Sequence, residues 1–161
     1  MISKIRENLF IGKYSDVVAQ FEKTADENRQ LLVGLKSLGI TDVLSLCNSN
    51  EENCLNKKEK KSFETNRAVG IKFHHQSVPS NNGNYVESFK LALKKLDRIL
   101  AVNPKAKVLI HCFGGIDRAP FLAASFLSFS DEMDLACAYS ELRKVRPFVV
   151  SHYEWKWWTD L

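Results

Sequence analysis

Ile110-His111-Cys112-Phe113-Gly114-Gly115-Ile116-Asp117-Arg118-Ala119-Pro120 decides the fold of this 161-residue chain. The apolar run Val108-Leu109-Ile110 leads into it and reads as a β-strand. The apolar run Phe121 to Phe129 leads out and reads as a helix. A strand, a tight glycine-bearing loop and a helix N-terminus bring backbone N–H groups around one point, which suits an anion. A cysteine opens the loop and an arginine closes it. The helix dipole and the Arg118 charge favour the thiolate of Cys112 over the thiol. A thiolate inside an anion cradle is a nucleophile aimed at phosphorus.

Outward from this loop, strands and helices alternate. Lys4 to Lys13 reads as a hairpin turning at Glu7-Asn8, expected at a sheet edge. Leu31, Leu32, Leu35 and Leu38 follow helical spacing from about Asp26, and Gly39 ends that helix. Ile40 to Cys47 reads as a buried strand and Asn48 to Asn56 as a polar turn. Lys57-Lys58-Glu59-Lys60-Lys61 is either a solvated helix face or a basic rim for a phosphorylated partner. Ile71 to Val78 is a strand, Pro79 to Asn84 a loop, and Tyr85 to Val102 a long helix with Phe89, Leu93, Leu96 and Leu100 on its apolar stripe. Asp134 can cap a last helix that carries Ala138, Leu142 and Val145 inward. His152 to Leu161, with Trp155, Trp157 and Trp158, is expected to be a helix sealing the core. The pattern implies an α/β fold in one domain spanning 1–161, with helices on both faces of a central mixed sheet.

Composition narrows the class. The net charge of +4 suits an anionic substrate without requiring nucleic acid or membrane. No apolar run is long enough to span a bilayer, and Met1-Ile2-Ser3-Lys4 does not open a signal peptide. Cys47, Cys54, Cys112 and Cys137 lack CxxC or zinc spacing, so neither a metal nor another cofactor is expected. A reduced, cytoplasmic protein is the expectation, with the nucleus as a second compartment.

The loop resembles the HCxxGxxR signature of cysteine-dependent phosphatases, the protein tyrosine and dual-specificity superfamily, at His111, Cys112, Gly115 and Arg118. Glu7 to Gly12 is similar to the N-terminal hairpin of small dual-specificity phosphatases, and Met133 to Pro147 to their C-terminal part. The resemblance implies the phosphotyrosine protein phosphatase-like fold and a two-step reaction. Cys112 attacks phosphorus, and water then hydrolyses the phosphocysteine. It gives Arg118 the role of gripping phosphate oxygens, backbone N–H groups from Phe113, Gly114, Ile116 and their neighbours up to Arg118 the role of binding the rest, and His111 a supporting role at the thiolate. The implied substrate is a phosphorylated protein. A phosphoinositide, another non-protein phosphate or an RNA or nucleotide polyphosphate is the alternative, and a weakly active phosphate-binding module is the alternative of another class.

The chain departs from that family in ways that bear on the chemistry. The loop expected to supply an acidic Asp, His74 to Asn84, contains no Asp or Glu. His75 is the nearest titratable side chain there, as an acid or as a packed or solvent-facing histidine. Asp117 lies inside the cradle, and its Asp-Arg ending resembles myotubularin-like and Sac-like phosphoinositide phosphatases. It is therefore a candidate general acid, or else an outward-facing or capping residue. Ala119 replaces the usual Ser or Thr, as in glucan phosphatases. Trp155 falls where relatives often carry a water-positioning Gln. Val43 to Cys47 resembles the strand that carries the backdoor cysteine of the lipid-directed tumour-suppressor phosphatase, so Cys47 is either a redox partner of Cys112 or a buried apolar residue.

Overall fold

In the computed structural model, residues 1–17, 25–48, 70–79 and 85–158 are described. The Lys57–Lys61 run, Cys54, the polar turn beyond Asn48 and the loop segment 80–84 lie outside them. Strands β1 (Ser3–Arg6) and β2 (Leu9–Lys13) form the expected hairpin, with Ser3 opposite Ile11 and Lys4 opposite Phe10. Helices α1 (Tyr14–Val17) and α2 (Ala25–Ser37) follow. Gly39, at φ +74°, ends α2, with its N–H on the Lys36 carbonyl and that of Ile40 on Leu35. Then come β3 (Asp42–Ser45), β4 (Lys72–His75) and α3 (Tyr85–Val102). β5 (Val108–Cys112), α4 (Arg118–Ser130), α5 (Leu135–Val145) and a single 3₁₀ turn at Tyr153–Trp155 complete the order.

The sheet runs β1-β2-β5-β3-β4, antiparallel only in the hairpin. β5 is its centre and is buried at all five residues. A strand covered on both faces needs a continuous apolar sequence, which explains Val108-Leu109-Ile110. Alternate residues then serve two cores. Phe10, Val43 and Leu109 face Val17 of α1 and Leu35 of α2. Leu9, Ile11, Leu44, Val108 and Ile110 face α3, α4 and α5. The mixed sheet with helices on both faces is as the sequence implies. Its parallel strands point their carboxyl ends to one side, where crevices in such sheets form. Cys112 is the last residue of the central strand.

Two details differ from expectation. Asp134 caps α5 as anticipated, accepting the Cys137 N–H at 2.7 Å, and Ala138 and Leu142 are buried. Val145, however, is half exposed, and it is Arg146 that turns inward. Among the described residues, up to 158, the tryptophan-rich segment is also not a helix beyond its one 3₁₀ turn. Residues spaced by two on a helix point to nearly opposite sides. Trp155 and Trp157 could not both face the core from one helix, whereas the extended backbone at Lys156 lets Trp155, Trp157 and Trp158 all pack on it. Phe121 is the hub, with ring centroids 4.6 Å from Phe89 and 5.5 Å from Trp155. Phe121→Ala is expected to cost about 3–5 kcal/mol and to loosen the Trp segment. Urea unfolding and the near-UV circular dichroism of the tryptophans measure the two effects.

Candidate active site

The cradle is built at the end of β5. Gly12 and Lys13 of β2 pair with His111 and Cys112, and Ser45 of β3 pairs with His111. The Tyr14 N–H on the Phe113 carbonyl fixes the first loop residue, and the two rings stack at 5.8 Å. The chain then reverses through Gly115, at φ +65°, into α4. Its N–H donates to Cys112 Sγ at 3.2 Å. Cys112 is buried, so this sulfur forms the floor of the loop. The first turn of α4 carries no acidic side chain, and Asp117 stands just before it at the N-cap position.

Arg118 is buried, and its Nη1 donates to the carbonyls of Val78 at 3.0 Å and Leu46 at 3.3 Å. The guanidinium thus ties the ends of β3 and of the segment after β4 to the cradle. His111 is buried too. Its Nδ1 lies 3.3 Å from the Cys112 carbonyl and 3.9 Å from Cys47 Sγ. A carbonyl demands a donor, so Nδ1 carries the proton. Burial pushes the His111 pKa down to about 4, and the ring is neutral at physiological pH. Its Nε2 has no hydrogen-bond partner among the described residues. His111 therefore reaches Cys112 at the backbone carbonyl rather than at the sulfur. Cys47 is buried behind it, one strand over. His75 is bonded through Nε2 to the Cys47 carbonyl at 2.7 Å, Lys95 Nζ donates to the His75 carbonyl, and the residue as a whole is exposed.

Three residues that the sequence reading did not single out hold the loop from behind and from the side. Arg146 Nε donates to the Gly115 carbonyl at 2.8 Å, and its Nη1 to the Met1 carbonyl and Ser3 Oγ. The Val150 N–H donates to the Ile116 carbonyl at 3.1 Å. His152 Nε2 meets Asp117 Oδ1 at 2.6 Å. Three consecutive cradle residues are thus bonded in turn by the segment from Arg146 to His152. A side chain on Gly115 would also strike the Arg146 guanidinium and come within 2.8 Å of the Gly12 carbonyl oxygen.

Asp117 does not cap α4 with its side chain. Its carboxylate is half exposed and points to His152, whose Nδ1 meets Glu154 Oε1 at 2.6 Å. The His152 ring lies flat on Trp155, with centroids 3.8 Å apart and planes within 7°. Burial alone would lower the His152 pKa. Hydrogen bonds to Asp117 and Glu154 outweigh it and hold the ring above the ordinary histidine value.

Arg146→Met is expected to destabilise the fold by at least about 1–3 kcal/mol, because the Gly115 carbonyl is left buried without a donor. It should also weaken vanadate binding at the cradle; Arg146→Lys, which keeps the charge but not the fork, should fall between. For His111 the folded pKa is depressed, so the unfolded chain takes up the proton first. Stability is therefore lost as pH falls from about 6.5 towards about 4, by roughly 3 kcal/mol in all. Urea unfolding across that window checks this, with His111→Asn expected to remove that share of the slope.

Residues 24–158 match the family model described as the catalytic domain of dual specificity phosphatases. Cyclin-dependent kinase inhibitor 3 of Rattus norvegicus is 30% identical over 154 residues, covering 90% of this chain and 67% of that protein. Dual specificity protein phosphatase PHS1 of Arabidopsis thaliana is 31% identical over 144 residues, or 89% of this chain and 13% of the larger protein. Among solved structures, kinase associated phosphatase with its catalytic-site cysteine changed to serine superposes with a TM-score of 0.70 at 22% identity, covering 91% of this chain and 80% of that one. With the match running across most of its length, the chain belongs to the dual-specificity phosphatase family of cysteine-dependent protein phosphatases.

Proposed function

We propose that this phosphatase hydrolyses phosphotyrosine and phosphoserine or phosphothreonine in proteins, in one catalytic domain and in the cytoplasm, with Cys112 as its nucleophile. The observation that carries the reading is the Gly115 N–H directed at Cys112 Sγ, 3.2 Å away, on the floor of a loop that opens a helix. The loop's backbone N–H groups and the dipole of α4 stabilise negative charge there. The S–P bond forms as the ester P–O bond breaks and the leaving oxygen takes a proton. Water then attacks phosphorus, the S–P bond breaks, and inorganic phosphate leaves with the thiolate restored. Arg118, anchored beside the cradle, contributes its charge and planar fork to the transferring phosphoryl group. Exposed apolar side chains at the loop, Phe113 and Ile116, with Val150 bonded to it, suit the ring of an aryl ester. No helix among the described residues is long and apolar enough to cross a membrane.

Asp117 takes the role of the acid in this reading. Its sequence position is inside the cradle, and the segment His74 to Asn84 supplies no carboxyl. Its companion His152, bonded to it at 2.6 Å, is a further reason to place proton chemistry there. Cys47 is the redox partner we assign to Cys112, and mild peroxide should join the two before Cys112 reaches the sulfinic state.

Cys112→Ser should abolish turnover of phosphopeptides while vanadate still binds, since serine is a far weaker nucleophile at neutral pH. Arg118→Lys should lose nearly as much activity as Arg118→Ala, because a point charge does not reproduce a two-pronged grip. Steady-state kinetics on phosphotyrosyl and phosphothreonyl peptides decide both. Substantial turnover in Cys112→Ser would remove the assigned nucleophile.

A further inference from the structure

We propose that His152 is a positioning residue that shares one acidic proton with Asp117 and thereby supplies it for the leaving group. The inference rests on the reading of Asp117 as the acid. The geometry carries it. Each ring nitrogen of His152 faces a carboxylate oxygen at 2.6 Å, Asp117 at Nε2 and Glu154 at Nδ1. A neutral imidazole has one N–H and would turn a lone pair towards one of those oxygens. Only the imidazolium donates to both. Trp155 lies flat against one face of the ring, and the His152 backbone N–H donates to the Tyr139 hydroxyl at 3.1 Å, which fixes the backbone that carries it.

The charged and titratable surroundings agree. From the cradle comes Asp117, from the 3₁₀ turn Tyr153 and Glu154, and from α5 Tyr139 and Arg143. Burial raises the Tyr139 pKa, so its phenol stays neutral. Arg143 is engaged with the Val149 carbonyl and Ser151 Oγ. The two carboxylates thus dominate, and the ring titrates above its ordinary value.

The proton balance follows. In the first step the Nε2 proton of His152 moves to Asp117 Oδ1, and the carboxyl group so formed gives a proton to the leaving oxygen. The pair ends as a carboxylate and a neutral imidazole. In the second step the attacking water returns one proton to the pair as its oxygen bonds to phosphorus and the S–P bond breaks. An acidic proton is then present at neutral pH and lost as pH rises through the titration of His152. An isolated carboxylic acid of ordinary strength would have lost it near pH 4.

The test compares native protein with His152→Gln, Asp117→Asn and Glu154→Gln on phenyl phosphate and on an activated nitrophenyl-type ester, across pH. Gln keeps an N–H donor but does not titrate. His152→Gln is expected to lower kcat/KM for phenyl phosphate about tenfold or more, to lower it far less for the activated ester, and to shift the basic limb to lower pH. An unmoved limb, or equal losses on both esters, overturns the role of His152. If Asp117→Asn alone then keeps the leaving-group dependence, the acid assignment survives without its partner. If Asp117→Asn affects both esters equally, the acid assignment itself fails. A second measurement needs no turnover. The NMR titration of the His152 ring in the native protein should lie above the ordinary histidine midpoint and fall in Asp117→Asn and in Glu154→Gln. A midpoint at or below the ordinary value overturns the proposal.

Discussion

The Arg146 guanidinium behind the cradle is the contact on which the shape of the site depends. It reaches the Gly115 carbonyl, the Met1 carbonyl and Ser3 Oγ at once, and so joins the loop, the start of the chain and the segment after α5. Burial opposes its charge, and attraction to Asp16 and to the Cys112 sulfur works in its favour. A buried cation held through Nε and Nη1 is costly to disturb. The reversal at Gly115 that turns an N–H onto Cys112 Sγ is held from the rear by this one side chain.

From that anchor the rest of the site follows in space. β5 is covered on both faces and held between β2 and β3, so Cys112 ends a strand with little freedom. Arg118 fastens the far ends of β3 and of the segment after β4 to the same loop. The Arg146–His152 segment bonds Gly115, Ile116 and Asp117 in order, and the aromatic cluster around Phe121 holds Trp155, on which His152 rests. The hydrophobic core thereby sets the position of a polar ring beside the cradle.

The strand–loop–helix geometry of the cradle was legible in the sequence because Cys112, Gly115 and Arg118 are neighbours along the chain and their context is local. The sheet was legible for the same reason, since each strand carries its own pattern. Arg146 and His152 were not, because they meet the loop across 31 and 35 residues and no local spacing announces such a contact. The periodicity of α5 pointed to Val145 as the inward residue, but the helix ends there and the next residue turns in. The tryptophan segment read as helical because its composition is apolar, whereas its spacing of two and three fits an extended chain around a single turn. The contact of His75 with the Cys47 carbonyl was not legible either, because it comes from the parallel pairing of β3 and β4 across 28 residues.

The packing around Gly115 also bears on how such a chain can change over generations. A methyl group at Gly115 meets the Arg146 side chain and the Gly12 carbonyl, and one at Gly12 comes within 3.3 Å of Asp16 Oδ2 and Leu109 Cδ1. Gly12, Gly115 and Arg146 are far apart in sequence yet fill one small volume. A side chain at Gly115 would need both Arg146 and the Gly12 backbone to withdraw, and Arg146 cannot withdraw without orphaning a buried carbonyl. At Gly115 a single substitution is blocked by the backbone of Gly12 and by its own positive φ as well as by Arg146, whereas at Gly12 the side chains of Asp16 and Leu109 would have to give by a few tenths of an ångström. Change at Gly115 would therefore have to move the backbone of β2 itself, which ties the inheritance of this loop position to that of a strand about a hundred residues earlier.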